Sequence, residues 1–293
     1  MSERASAFGS HGGLVGVVCE PDAGPEPGAP AVLLFNVGLN HRVGPGRLNV
    51  DLARSLARSG YASLRFDLSG LGDSEPRGGA SSDAERSVVD LREAMDFLQR
   101  RRGIEAFVVV GLCSGVDGAH AAALADPRVR GAVFIDGYAY PTPGYHVLRG
   151  ARKARGYLDP SYWRRWIGWK ARRLRGLSPD VDVETGSREP IFDRTYPPLK
   201  AFRDDLQALL ERQVRMLFLY TVDAWFFNHR SQFAPMIGRR ALPGGIEVEY
   251  WTDADHVFRA VPARRRLVQR LTAWMEASFP TAAADEARRR SAS

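Results

Sequence analysis

The sequence predicts an α/β fold with a mostly parallel central sheet flanked by helices and a helical lid inserted once. Three observations predict it. Short β-rich apolar runs alternate with helix-period segments, the signature of parallel strands joined by crossover helices. The 293 residues, 44% apolar and 26% charged, suffice to bury one large core and exclude disorder as the main state. The alternation breaks once, after residue 135, for about 75 residues, and then resumes.

The elements follow in order. Val15–Cys19 reads as an edge strand and the apolar Ala31–Phe35 as the next. Arg47–Ser59 places Leu48, Leu52 and Leu56 on one helix face, with Gly60 as its stop. Tyr61–Phe66 is a strand. Ser82 and Glu85 form a capping box for a helix carrying Val88, Leu91, Met95 and Leu98, which Gly103 ends. Ala106–Leu112 (strand), Val116–Ala125 (helix) and Gly131–Ile135 (strand) complete the first block. Val214–Tyr220, Ile246–Trp251 and a closing helix over Pro262–Phe279 form the second. The domain division is therefore core 1–137, insertion 138–212, core 213–280 and a disordered tail 281–293. An insertion at that point of a parallel sheet lies over the carboxyl ends of the strands, where ligands bind, and is expected to act as a lid.

Met1–Gly13 lacks the apolar stretch of a signal peptide, and no run approaches the roughly 18–20 apolar residues of a membrane span. With only Cys19 and Cys113, reduced thiols and a cytoplasmic location are expected. Neither a CxxC pair nor HExxH occurs, so neither a metal nor a cofactor is expected.

Gly111-Leu112-Cys113-Ser114-Gly115 joins a predicted strand to a predicted helix in the pattern of a nucleophile elbow, with Cys in the central place usually held by Ser. Small residues are needed on both flanks of so tight a turn, and the helix N-terminus favours a thiolate. A register centred on Ser114 would instead put Leu112 and Val116 where glycine is needed. The plain alternative is a small buried core cysteine. His256 is the only histidine after the last predicted strand, and is the expected base. Asp223, just past the penultimate strand, is the favoured carboxylate to orient it; Asp136, before the insertion, is its rival. Oxyanion donors are expected from the Ser114 N–H and from Gly38 or Val37 in the loop after the second strand. His41, in that loop, is a residue of the site mouth.

The segments FNVGLNHRVGPGR (35–47), LRFDLSGLGDSE (64–75), GLCSG (111–115) and DADHVF (253–258) resemble the α/β-hydrolase superfamily, over roughly residues 31–136 and 214–279. The resemblance is nearest to its serine-aminopeptidase-like branch, including the exosortase-system-associated hydrolases, and implies the α/β-hydrolase fold. It also implies that Asp67, in the run Asp67…Gly70…Gly72…Ser74, fixes a loop. Cys113 departs from the Ser of most relatives, although dienelactone hydrolases also carry Cys there. A thiol nucleophile passes through a thioester, which suits acyl exchange with thioester or ester substrates, by hydrolysis or transfer. The readings are thus a thioesterase or acyltransferase, an ester or lactone hydrolase of the dienelactone type, or a non-catalytic binding protein on a hydrolase scaffold.

The charge completes the picture. Residues 149–175 hold ten Lys or Arg and one acid, a net +9, so the rest of a chain of net +7 is faintly acidic at −2. Trp163, Trp166 and Trp169 recur there every three residues among Arg164, Arg165 and other cations. They are expected to roof an apolar acyl tunnel while the arginines face the phosphopantetheine arm and acidic surface of an acyl carrier protein, or coenzyme A. A solvated face, or a helix lying on a membrane surface, would share this pattern. Nucleic-acid binding is disfavoured, because no reading motif accompanies the cations.

Overall fold

The computed structural model describes residues 1–10, 12–78, 82–158, 163–164, 166–168, 170–171 and 196–282. Its eight-stranded sheet comprises β1 (Ser2–Phe8), β2 (Leu14–Glu20), β3 (Ala31–Leu34), β4 (Ser63–Phe66), β5 (Phe107–Leu112), β6 (Val129–Ile135), β7 (Arg215–Thr221) and β8 (Ile246–Trp251). The order across the sheet is β1-β2-β4-β3-β5-β6-β7-β8. Strands β4 to β8 run parallel, while β2 is antiparallel to both β1 and β4. The helices are α1 (Leu48–Arg58), α2 (Asp83–Arg102), α3 (Gly115–Ala125), α4 (Pro143–Leu158), α5 (Leu199–Glu211), the single-turn α6 (Phe233–Met236) and α7 (Val261–Ser278).

Apolar side chains of the parallel strands point to both faces, and each face has its own core. On one, α2, α3 and α5 cover Leu33, Phe107, Phe134 and Phe218. On the other, α1 and α7 press Leu52, Leu56, Leu267, Leu271 and Trp274 against Val32, Val108 and Leu217. Truncating one such leucine to alanine typically costs about 2–5 kcal/mol. Ser82 caps α2 by accepting the Glu85 N–H at 3.2 Å, and Gly103 ends it at φ 68°.

Two elements differ from expectation. The expected edge strand β2 is internal, because residues 2–8 add a further strand outside it. That strand is mostly exposed, so it lacks the apolar alternation that marks a half-buried strand. Glu3 ties it to its neighbours through Arg54 at 2.7 Å and Arg65 at 3.0 Å. Second, the final stretch of the expected insertion is a crossover helix of the core: α5 buries Phe202, Leu206 and Leu209 beside α3. The tail beyond residue 282 lies outside the described residues.

The chain turns back on itself between β3 and β5. From β3 it passes to β4 on one side, then through α2 to β5 on the other, leaving a crevice at the carboxyl ends of β3 and β5. Such a switch point is where open α/β sheets bind ligands. At the β5–α3 corner a Cβ on Gly111 would lie 2.6 Å from the Gly115 carbonyl oxygen and 2.7 Å from the Val116 Cα. These are backbone atoms that cannot swing aside. Gly111→Ala is therefore expected to destabilise the fold by about 1–3 kcal/mol, read as a lower urea midpoint.

Candidate active site

Cys113 sits at φ 55°, in the left-handed region that side chains other than glycine rarely adopt. Its amide donates to the Ile135 carbonyl at 2.9 Å, and α3 begins two residues later. The half-buried side chain therefore stands at the carboxyl end of β5, beside the positive end of a helix dipole. Gly115 brings this turn against the β3 loop, where an added Cβ would lie 3.0 Å from the Asn36 carbonyl oxygen.

His256 reaches the corner from the loop after β8. Its ring is hydrogen-bonded to the Cys113 side chain, and Nδ1 lies 2.7 Å from Asp136 Oδ2. Burial opposes a charged imidazole here, but the bonds to Asp136 and Cys113 outweigh it and push the His256 pKa up to about 10. Both bonded groups favour the protonated ring.

The expected partnership of His256 with Asp223 is corrected: the ring pairs with the rival, Asp136. Asp136 is buried at the end of β6 with φ 48°, which turns its carboxylate toward β7. Thr221 fixes it there, donating its N–H to Oδ1 at 2.6 Å and its hydroxyl to Oδ2 at 2.7 Å. Asp223 is exposed, and its Oδ2 accepts the backbone N–H of His256 at 3.0 Å. One carboxylate holds the ring and the other holds the loop. Thr221 escaped the sequence reading because only the pairing of β6 with β7 brings it to Asp136, and no spacing in the chain records that.

The β3 loop closes the other side. The Gly38 N–H donates to Ser114 Oγ at 2.9 Å, so this amide is directed at the residue after Cys113. The loop is built on Asp67, wholly buried, which accepts from Asn36 Nδ2 at 2.9 Å and the Arg42 N–H at 2.6 Å. The Arg42 guanidinium bonds Asp67, His41 and Asp73 together, so the cation amid these three groups is an arginine. His41 packs against Arg42 and does not line the crevice. That crevice, about 660 Å³, runs from Gly38 and Ser114 to the polar side chains of Ser69, Arg77, Asp90 and Asp117.

Of the basic, Trp-rich segment, Trp163 and Arg164 are exposed, and Trp163 meets Trp166 edge-on with ring centroids 5.9 Å apart. Lys170 covers the Trp166 ring at 4.7 Å. Trp163 is 44% exposed. Trp169 and Arg165 lie outside the described residues. Among the described residues no helix is long and apolar enough to cross a membrane.

An imidazolium hydrogen-bonded to the thiol stabilises its thiolate. Alkylation of Cys113 by iodoacetamide is expected to be slower in His256→Ala than in the parent, and absent in Cys113→Ala. As pH rises through about 10, His256 loses its proton; a histidine NMR titration with a midpoint near 6.5 would contradict the pairing.

Residues 30–194 match the family model described as alpha/beta hydrolase fold. No curated protein matches the chain. Similar solved structures include an α/β serine hydrolase without lid from Xanthomonas campestris, 13% identical over 94% of this chain and 92% of that one, TM-score 0.51. The esterase domain of a Rhodothermus marinus protein is 18% identical over 93% and 96%, TM-score 0.51. A Pyrococcus furiosus esterase is 13% identical over 96% and 93%, TM-score 0.54. At these identities the likeness is one of fold. With more than half of its length matched by the family model, and with the sheet order and corner described above, the chain belongs to the α/β-hydrolase fold family.

Proposed function

We propose that the protein is an acyl-transfer enzyme, a thioesterase or acyltransferase, that works through a Cys113 acyl-enzyme. The observation that carries the proposal is the chain of hydrogen bonds from the elbow thiol to His256 and on to Asp136. The Cys113 thiolate attacks the substrate carbonyl carbon, and the Ser114 and Gly38 N–H groups stabilise the oxyanion. His256 gives its proton to the leaving thiol or alcohol as the tetrahedral intermediate collapses to a thioester. It then takes a proton from the acceptor, water or another nucleophile, which attacks that thioester and frees the thiolate. Asp136 fixes the imidazole tautomer and stabilises the imidazolium.

Similar structures named as esterases and as a serine hydrolase support a reading of ester-directed chemistry for this fold. An anionic carrier of the acyl group, an acyl carrier protein or coenzyme A, suits the exposed Arg149, Arg152 and Arg155 of α4. That helix is anchored to the loop after β7, with Arg152 donating to the Asn228 carbonyl at 3.0 Å and Asn228 to the Tyr145 carbonyl at 3.1 Å.

Intact mass spectra after incubation with acyl thioesters and activated esters should show one acyl adduct, absent from Cys113→Ala. No adduct and no turnover across a broad panel would leave a binding role on a hydrolase scaffold. The two carboxylates should separate kinetically. Asp136→Asn, which loses the imidazolium partner, should lower kcat/KM by about 10³-fold or more. Asp223→Asn keeps an oxygen for the His256 N–H and should stay within about threefold of the parent.

A further inference from the structure

A second cavity, about 360 Å³, opens among the loops after β6 and β7 and the residues that lead into α5. Its walls are the rings of Tyr140, Tyr196, Trp225 and Phe226 with Pro197 and Pro198, and no charged side chain lines it among the described residues. Its lining begins at Ala139, three residues beyond Asp136, and includes Trp225, two beyond Asp223. Chain geometry therefore keeps those backbone positions within about 11 Å of the Cα atoms of Asp136 and Asp223.

The cavity is built rather than incidental. Phe226 is held at φ 57°, an uncommon conformation for so bulky a residue, yet its ring remains 43% exposed. Gln232, wholly buried, keeps it there. Its amide donates to the Phe226 carbonyl and, at 3.1 Å, to the Tyr140 carbonyl, while its oxygen accepts the Asn228 N–H at 3.0 Å. One side chain thus clamps the loop after β6 to the loop after β7. Across the cavity, the Tyr140 hydroxyl donates to the Pro197 carbonyl at 2.5 Å, so this hydroxyl is engaged by the wall.

We propose that this cavity is a subsite for a planar, uncharged aryl group of the substrate. The absence of charge from the lining disfavours an ionised ligand, whose desolvation nothing there would offset. Tyr140 and Tyr196 meet at 71° and Tyr196 and Phe226 at 85°, so the walls present both ring faces and ring edges. An inserted ring gains edge-to-face contacts that an alkyl chain cannot make. Prolines and a clamped backbone also give a fixed slot, whereas a site for chains of varying length favours flexible residues such as methionine.

The subsite belongs to the acyl-transfer reading only in that the ring it holds is part of the acylating substrate, and its test does not depend on acylation. Titrate Cys113→Ala protein calorimetrically with two unreactive neutral amides, phenylacetamide and hexanamide. Phenylacetamide should bind at least about tenfold more tightly. That preference should disappear when Trp225→Ala or Phe226→Gly is added, with Tm close to the parent; glycine keeps the left-handed backbone at 226. Equal affinities, no phenylacetamide binding at millimolar ligand, or a preference that survives both substitutions in folded protein would overturn the proposal. An aryl preference in Cys113→Ala alongside a failed adduct experiment would leave the subsite standing and remove the acyl-enzyme.

Discussion

Because β5 must become α3 within two residues, Cys113 is forced to φ 55°, and the remaining features of the site answer to that turn. A left-handed residue with a side chain costs on the order of 1–2 kcal/mol, here offset by burial of β5 between two cores. The turn excludes a side chain at 111, where backbone atoms already occupy the space, and 115 lies tight against the Asn36 carbonyl of the β3 loop. It also lifts Cys113 above the sheet, where groups from four other strand ends can reach it. The loop after β3, Asp136 after β6, Thr221 at the end of β7 and His256 after β8 converge there without any of them being near in sequence.

The parts of this arrangement legible in the sequence are those whose signal is local. Apolar runs marked the buried strands, and glycine spacing around Cys113 marked the corner, because steric exclusion acts within five residues. His256 was legible from its place after the last strand. The choice between Asp136 and Asp223 was not, since it turns on one positive φ and on Thr221 across the sheet. Strand β1 was illegible for the opposite reason: it buries so little that its residues carry no pattern. Helix α5 did carry one, with Phe202, Leu206 and Leu209 on a single face, but the loss of rhythm around it absorbed it into the insertion. The Trp163–Trp166 spacing placed those rings side by side, but periodicity does not say which face of a helix meets the protein.

Two acids beside one histidine divide what a single acid usually does. Asp136, buried and bonded to Thr221, bears on the ring's charge, whereas Asp223, exposed, bears only on where the loop lies. Electrostatic influence is strong for the first and weakened by solvent for the second.

The bond from Gly38 to the Ser114 hydroxyl has a thermodynamic consequence. The serine hydroxyl satisfies this amide, so any other acceptor must displace it. A neutral carbonyl oxygen arriving there exchanges one ordinary hydrogen bond for another and gains almost nothing. An oxygen that has taken on negative charge gains a bond roughly twice as strong as the one displaced. In the proposed reaction the serine would thus set a threshold that ground-state binding does not clear and developing charge does, and this contact would favour the reacting form over the resting one.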